Sequence, residues 1–160
     1  PDDIDAISKL LYAAFKDHPH HPPNSEPTEH IIVEKLRTND ALSLSLVAKE
    51  NDTLQGYIAF SKVLIDGKDE NWYGLGPVAV LPERQQQGIG AALIQTGLEM
   101  LKINGANGIV LLGEPEYYGR FGFVQQKGLT LPNVPAEYFL ALAFHEAVPQ
   151  GEVAYDEAFG

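Results

Sequence analysis

Between Leu75 and Leu112 the chain runs from an unbroken apolar stretch through a polar loop with two glycines. An amphipathic segment and a second apolar stretch follow. Leu75 to Leu81 is apolar at nearly every position, as in a strand buried on both faces. Gly76-Pro77 inside it marks a bulge or an unpaired position. From Gly90 to Ile103, Leu93, Ile94, Leu98 and Leu101 fall on one side of a helix, with Lys102 in its last turn and Gly105 as its stop. Ile109 to Leu112 is a second short buried strand. Strand, helix and strand within about 40 residues make a βαβ unit with a parallel pair.

The flanks add hairpins and helices. Ile4 to Phe15 carries Ile4, Ile7, Leu10, Leu11, Ala14 and Phe15 at helical spacing. Thr28 to Leu36 reads as a second helix with Thr28 as its N-cap. Leu44 to Ala48 and Gln55 to Ile65 read as strands joined by a turn at Asn51-Asp52-Thr53, and Asp66 to Asp69 as another turn. Beyond the βαβ unit, Glu114 to Arg120 reads as a short turn or helix. Phe121 to Val124, Phe139 to Phe144 and Gly151 to Tyr155 read as strands. The expected class is α/β, mixed with α+β, around one mixed sheet, in a single domain over residues 1–160.

Composition removes several functions. The 11 basic and 22 acidic residues give a net charge of −11, and no two basic residues are adjacent, which argues against nucleic-acid binding. No apolar run approaches the roughly 18 residues of a membrane span. There is no cysteine, hence no disulfide, thiolate metal site or cysteine nucleophile, which suits a reducing cytoplasm. His18, His20 and His21 lie in the four-proline stretch from Asp17 to Pro27, where prolines hinder wrapping of a metal, so a solvated loop is expected and no metal.

The loop from Pro82 to Gly90 is the chemical centre of the sequence. A helix N-terminus carries free N–H groups and about half a positive charge. Gly88 and Gly90 let an anion approach that backbone without a charged side chain. The glycines fit a tight turn or close helix packing equally well. A Walker A loop is absent. A dinucleotide fingerprint needs a third glycine where Leu93 stands, although Glu114 imitates its ribose contact. His145-Glu146 lacks the second histidine of a zinc protease, and there is no Gly-x-Ser-x-Gly elbow.

Gln85-Gln86-Gln87-Gly88-Ile89-Gly90, after an apolar strand and opening a helix, resembles the Arg/Gln-x-x-Gly-x-Gly/Ala signature of the GNAT superfamily of N-acetyltransferases. Tyr118, four residues before Gly122-Phe123, resembles that family's second feature, in the expected order. The likeness extends from about Thr28 to Gly160, a stretch that resembles a bacterial subgroup of acetyltransferases. The family opens with a strand before its first helix, whereas here the helix starts almost at Pro1, so one sheet edge is expected to be less complete.

The resemblance implies transfer of an acetyl group from acetyl-CoA, as cosubstrate, to a primary amine on a small molecule or peptide. The CoA pyrophosphate would rest on the amides of Gln85, Gln86, Gln87, Gly88, Ile89 and Gly90. Its pantetheine would pair with Val78, Ala79 and Val80, and Ala91, Tyr117 and Phe121 would complete the site. Tyr118 is the candidate general acid, against a ring merely packed beside Phe121 and Phe123. Glu114 is the candidate base, against a helix-start residue ahead of Pro115, with Glu116 and Glu50 behind it. Arg84 and Arg120 read as solvated, with contact to CoA phosphates as the other reading. The His18–Pro27 loop and a turn at Asn71-Trp72-Tyr73 are expected to line the acceptor site, and an exposed terminal strand to offer an edge for a homodimer. A non-catalytic acyl-CoA sensor of the same fold is the alternative.

Overall fold

The computed structural model describes residues 3–15, 29–145 and 148–159. The expected histidine and proline loop, the Thr28 cap and Glu146 lie outside the described residues. Helix α1 (Ile4–Phe15) buries Ile7, Leu10 and Leu11, the stripe set by its apolar spacing. Helix α2 (Glu29–Thr38) buries Val33 and Leu36.

Strands β1 (Leu42–Glu50), β2 (Thr53–Ile65) and β3 (Lys68–Val80) form an antiparallel meander. Its turns are two residues long, with φ of 52° and 66° at Asn51 and Asp52, and 50° and 76° at Asp66 and Gly67. Two successive positive φ values match the twist of the flanking strands. Such tight turns use fewer residues than expected, and Thr53, Lys68 and Asp69 join the strands. Helix α3 (Ile89–Ile103) then leads to β4 (Gly108–Leu112), which pairs parallel with β3, closing the βαβ unit. Helix α4 (Pro115–Gly119), β5 (Leu129–Thr130), β6 (Phe139–Ala143) and β7 (Gly151–Ala154) complete the described elements. The sheet runs β5-β7-β2-β3-β4-β6, with β1 beside the rest of β2.

The period of two along β2 divides the core. Tyr57 and Ala59 face α1 and α2 beside Ile7, Leu10 and Leu11. Ile58 and Phe60 face α3 beside Leu93, Ile94 and Leu98. The Phe60 ring occupies the space a Cβ would need at Gly97, so helix and sheet approach closely there. Each fully buried side chain of this size contributes about 1.5–3 kcal/mol.

Three expectations fail for identifiable reasons. Asn71-Trp72-Tyr73 is strand, paired with β2 and β4, and Trp72 is 1% exposed, filling the space left by Gly108. It is therefore no acceptor-lining turn. Phe121 to Val124 makes one isolated bridge, Val124 to Ala141, because the Phe121 and Phe123 amides donate instead to the Tyr118 carbonyl at 3.0 and 3.4 Å. The terminal strand β7 pairs with β5 through Gly151 and Glu152 and with β2 through Val153 and Ala154, so it is not the free edge expected to support a homodimer.

Candidate active site

The site begins where the parallel pair stops. Trp72, Tyr73 and Gly74 of β3 pair with Gly108, Ile109 and Val110 of β4; beyond them the two strands separate. The cause lies in β3. Val78 opposes Ile58 but Leu75 opposes Phe60, so one extra residue is accommodated at Gly76-Pro77, whose peptide is cis. This is the expected bulge, and a bulge bends its strand. The β4-facing edge from Leu75 to Val80 is left without a strand partner.

The Pro82–Gly90 loop lies at the end of that edge. A 3-10 turn (Pro82–Arg84) leads to Gln85, whose Nε2 donates to the Val80 carbonyl at 3.2 Å and ties the loop to the strand. Gln86 and Gly88 have φ of 66° and 84°. Gly88 caps α3 in the left-handed region and no side chain caps the helix, which leaves its first amides for another acceptor. Strand edge, loop and helix border a cavity of about 750 Å³. Its walls are Val78, Ala79 and Val80 on the strand, Gln85, Gln86 and Gly88 on the loop, Gly90, Ala91 and Ile94 on the helix, and Tyr117 and Arg120 across from them.

A second cavity, of about 470 Å³, meets the first at Val78 and Tyr117. Tyr118 and Glu114 both line it. Tyr118 is set by helix α4, where its amide donates to the Glu114 carbonyl at 3.0 Å. Its ring meets Tyr117 edge-on at 4.9 Å and Phe123 at 6.2 Å. Gly113 has no Cβ where the Tyr118 ring lies. Burial pushes the Tyr118 hydroxyl up to about 12, with repulsion from Tyr117 adding to it. Tyr118 therefore carries its proton at any working pH.

Several expected residues fall elsewhere. Gln87 is exposed and outside the first cavity. Ile89 turns to the core, its Cγ2 2.9 Å from where a Cβ on Gly56 would stand. Phe121 meets the Tyr117 ring edge-on at 5.7 Å and is not among the residues bordering the cavity. Arg84 pairs with Glu50 at 3.3 Å, which occupies both away from the cavities. Glu116 is exposed and lines neither cavity. Arg120 borders the first cavity, 4.6 Å above the Tyr117 ring. Phe15, Ile32 and Phe159, which wall the second cavity, carry no sequence signal of their own, because apolar residues at such positions read as core. Among the described residues no cluster of three metal-ligating side chains occurs.

Comparison with known proteins agrees with this geometry. The model of the acetyltransferase (GNAT) family matches residues 4–123. The N-acetyltransferase YhbS of Escherichia coli K12 is 36% identical over 124 residues, 77% of this chain and 69% of that protein. A GNAT family acetyltransferase from Brucella melitensis, crystallised in complex with acetyl-CoA, has a TM-score of 0.87 at 47% identity, covering 100% of this chain and 94% of that one. The crystal structure of YhbS from Escherichia coli in complex with CoA gives a TM-score of 0.89 at 31% identity, covering 99% and 87%. The family match runs from α1 past Tyr118 and takes in the strand, loop and helix that build the first cavity; the chain belongs to the acetyltransferase (GNAT) family.

Proposed function

We propose that this chain transfers the acetyl group of acetyl-CoA to a primary amine, with the donor in the first cavity and the acceptor in the second. One observation carries the reading. The uncapped N-terminus of α3 and the unpartnered edge of β3 border one cavity, and that cavity joins another lined by a half-buried tyrosine, Tyr118. Acetyl-CoA supplies an activated thioester. The acetyl-CoA and CoA complexes of the two structural relatives support the same donor here.

The residues fit such a donor. The amides from Gln86 to Gly90 suit a pyrophosphate, because no side chain caps the helix there, whereas the Gln85 amide already donates to the Pro82 carbonyl at 3.5 Å. The edge at Val78, Ala79 and Val80 suits an amide-bearing arm that pairs as a strand does. Backbone N–H groups of that edge are the available donors to an oxyanion, usually a large catalytic contribution.

Glu114 takes a proton from the acceptor nitrogen, directly or through water. The nitrogen lone pair forms the new C–N bond and the C–S bond breaks. Tyr118 gives its hydroxyl proton to the departing sulfur and regains one from solvent. From about 12 to a thiol near 8.5 this donation is uphill in water. The burial that raises the tyrosine also raises the basicity of a thiolate beside it, which narrows the gap.

The test is thiol release from acetyl-CoA with and without an amine panel, repeated with Glu114→Gln. Amine-dependent release supports transfer, and an altered pH–rate profile in the variant supports Glu114 as base. Acetyl-CoA binding without release under any amine favours a non-catalytic sensor.

A further inference from the structure

The second cavity has a composition that narrows the acceptor. Its described apolar walls are Phe15 from α1, Ile32 from α2, Leu75 and Pro77 from β3, Leu112 from β4, and Phe159 near the end of the chain. Its described ionisable lining is Glu29, Glu114, Tyr117 and Tyr118, with no lysine, arginine or histidine among it. The walls do not end there. Leu75, Leu112 and Phe159 also line a third cavity of about 600 Å³, which continues past Phe159 to Leu131, Pro132 and Tyr155. Its one described charged group, Asp156, accepts from Asn39 Nδ2 at 3.2 Å and from the Ala158 amide at 2.9 Å.

Each feature selects. Apolar walls reward an acceptor that removes apolar surface from water on binding. The carboxylates in the lining, Glu114 above all, attract an ammonium and repel a carboxylate carried on the same molecule. No described side chain of the lining is cationic, so among the described residues such a carboxylate finds no counter-ion, a costly state for a charge taken out of water. A polyamine would bring a second ammonium into an extension lined mainly by Leu75, Leu112, Leu131, Pro132 and Phe159, with Asp156 its one described carboxylate, and would bury less apolar surface there than a hydrocarbon body does.

We infer that the acceptor is a primary amine with an aromatic or branched-alkyl body and no carboxylate beside the nitrogen, and that Phe159 sets how that body is seated. This inference rests on the acetyl-transfer reading above. Phe159 lines two cavities at once, so its removal joins them into one wider space without touching the CoA-binding edge, loop or helix.

The experiment compares kcat/KM for 2-phenylethylamine, phenylalanine, spermidine and ethylamine, with acetyl-CoA affinity measured by calorimetry. The expected order places 2-phenylethylamine at least about 100-fold above phenylalanine and about 10-fold above spermidine, within the range that unpaired polar groups impose. Phe159→Ala is expected to lower kcat/KM for 2-phenylethylamine about 10-fold. Acetyl-CoA affinity should change less than about twofold, and the loss should fall more heavily on 2-phenylethylamine than on ethylamine, a split that a general loss of folding would not give. Acetyl-CoA binding with phenylalanine or spermidine as the better acceptor overturns this inference and leaves acetyl transfer standing. Equal loss for 2-phenylethylamine and ethylamine in Phe159→Ala overturns the role of Phe159. Failure to bind acetyl-CoA, or binding with no amine consumed, overturns the acetyl-transfer reading and this inference with it.

Discussion

The two cavities that meet at Val78 and Tyr117 are made in different ways. The first is lined mostly by one continuous stretch, β3 through the second turn of α3, whose glycines and uncapped helix start expose backbone, with Tyr117 added from α4 and Arg120 from just beyond it. The second is built of side chains from α1, α2, β3, β4, α4 and the last turn of the chain. A backbone site depends on helix polarity and glycine conformations and tolerates many side chains around it. A side-chain site changes whenever one wall residue changes. One fold can therefore keep its donor while varying its acceptor, which is how fold and substrate become separable.

Substitutions on each side should separate the two sites, beginning with the largest effect. Tyr118→Phe removes only the hydroxyl and is expected to lower kcat by about 10²–10⁴-fold with the KM for acetyl-CoA unchanged, read by steady-state kinetics. An unchanged kcat removes Tyr118 from the chemistry. Gly113→Ala places a methyl group against the Tyr118 ring. It should displace the ring and lower kcat about 10- to 100-fold at nearly constant acetyl-CoA affinity, since a misplaced catalytic group costs about that much.

Gly88→Ala acts on the other side. A Cβ there meets no other atom, so the penalty is the left-handed φ of 84° alone, about 1–2 kcal/mol. Relaxation of the loop should raise the KM for acetyl-CoA about 10-fold while amine selectivity stays as it was.

The smallest effect is in pH. Tyr118 is held protonated up to about 12, so it contributes no falling limb to the rate below about pH 11. The rate should instead rise with pH as the acceptor amine, near 10.4 when alkyl, loses its proton. For stability the sign is the reverse. The unfolded chain loses the tyrosine proton from about pH 10 and the folded chain only near 12, so this contribution is lost as pH rises between them. A melting series from pH 9 to 11 on wild type and Tyr118→Phe reads the difference.

What the sequence made legible follows the same division. Gln85 to Gly90 could be placed between a strand and a helix start because its glycines lie between an apolar run and an amphipathic one. Gly76-Pro77 was readable as a bulge because proline cannot donate to a ladder. Tyr118 was readable only through a family pattern, since an aromatic beside Phe121 and Phe123 otherwise reads as packing. Hidden from the sequence were contacts between distant segments. Asp66 to Asp69 is polar and reads as turn, yet Lys68 and Asp69 belong to β3, with Lys68 opposite Ile65 at the end of β2. The Phe121 and Phe123 amides look available for a strand, yet the end of α4 takes them first. Phe15 and Phe159 are 144 positions apart and share a cavity only because the fold brings both chain ends to β3.

The most direct measurement is calorimetric titration of acetyl-CoA into wild type, Gly88→Ala and Tyr118→Phe. The account predicts binding to wild type, an affinity within about twofold for Tyr118→Phe, and about 10-fold weaker binding to Gly88→Ala, the equivalent of about 1.4 kcal/mol. No binding to wild type, or weaker binding to Tyr118→Phe than to Gly88→Ala, would contradict the placement of donor and acceptor on opposite sides of Val78 and Tyr117.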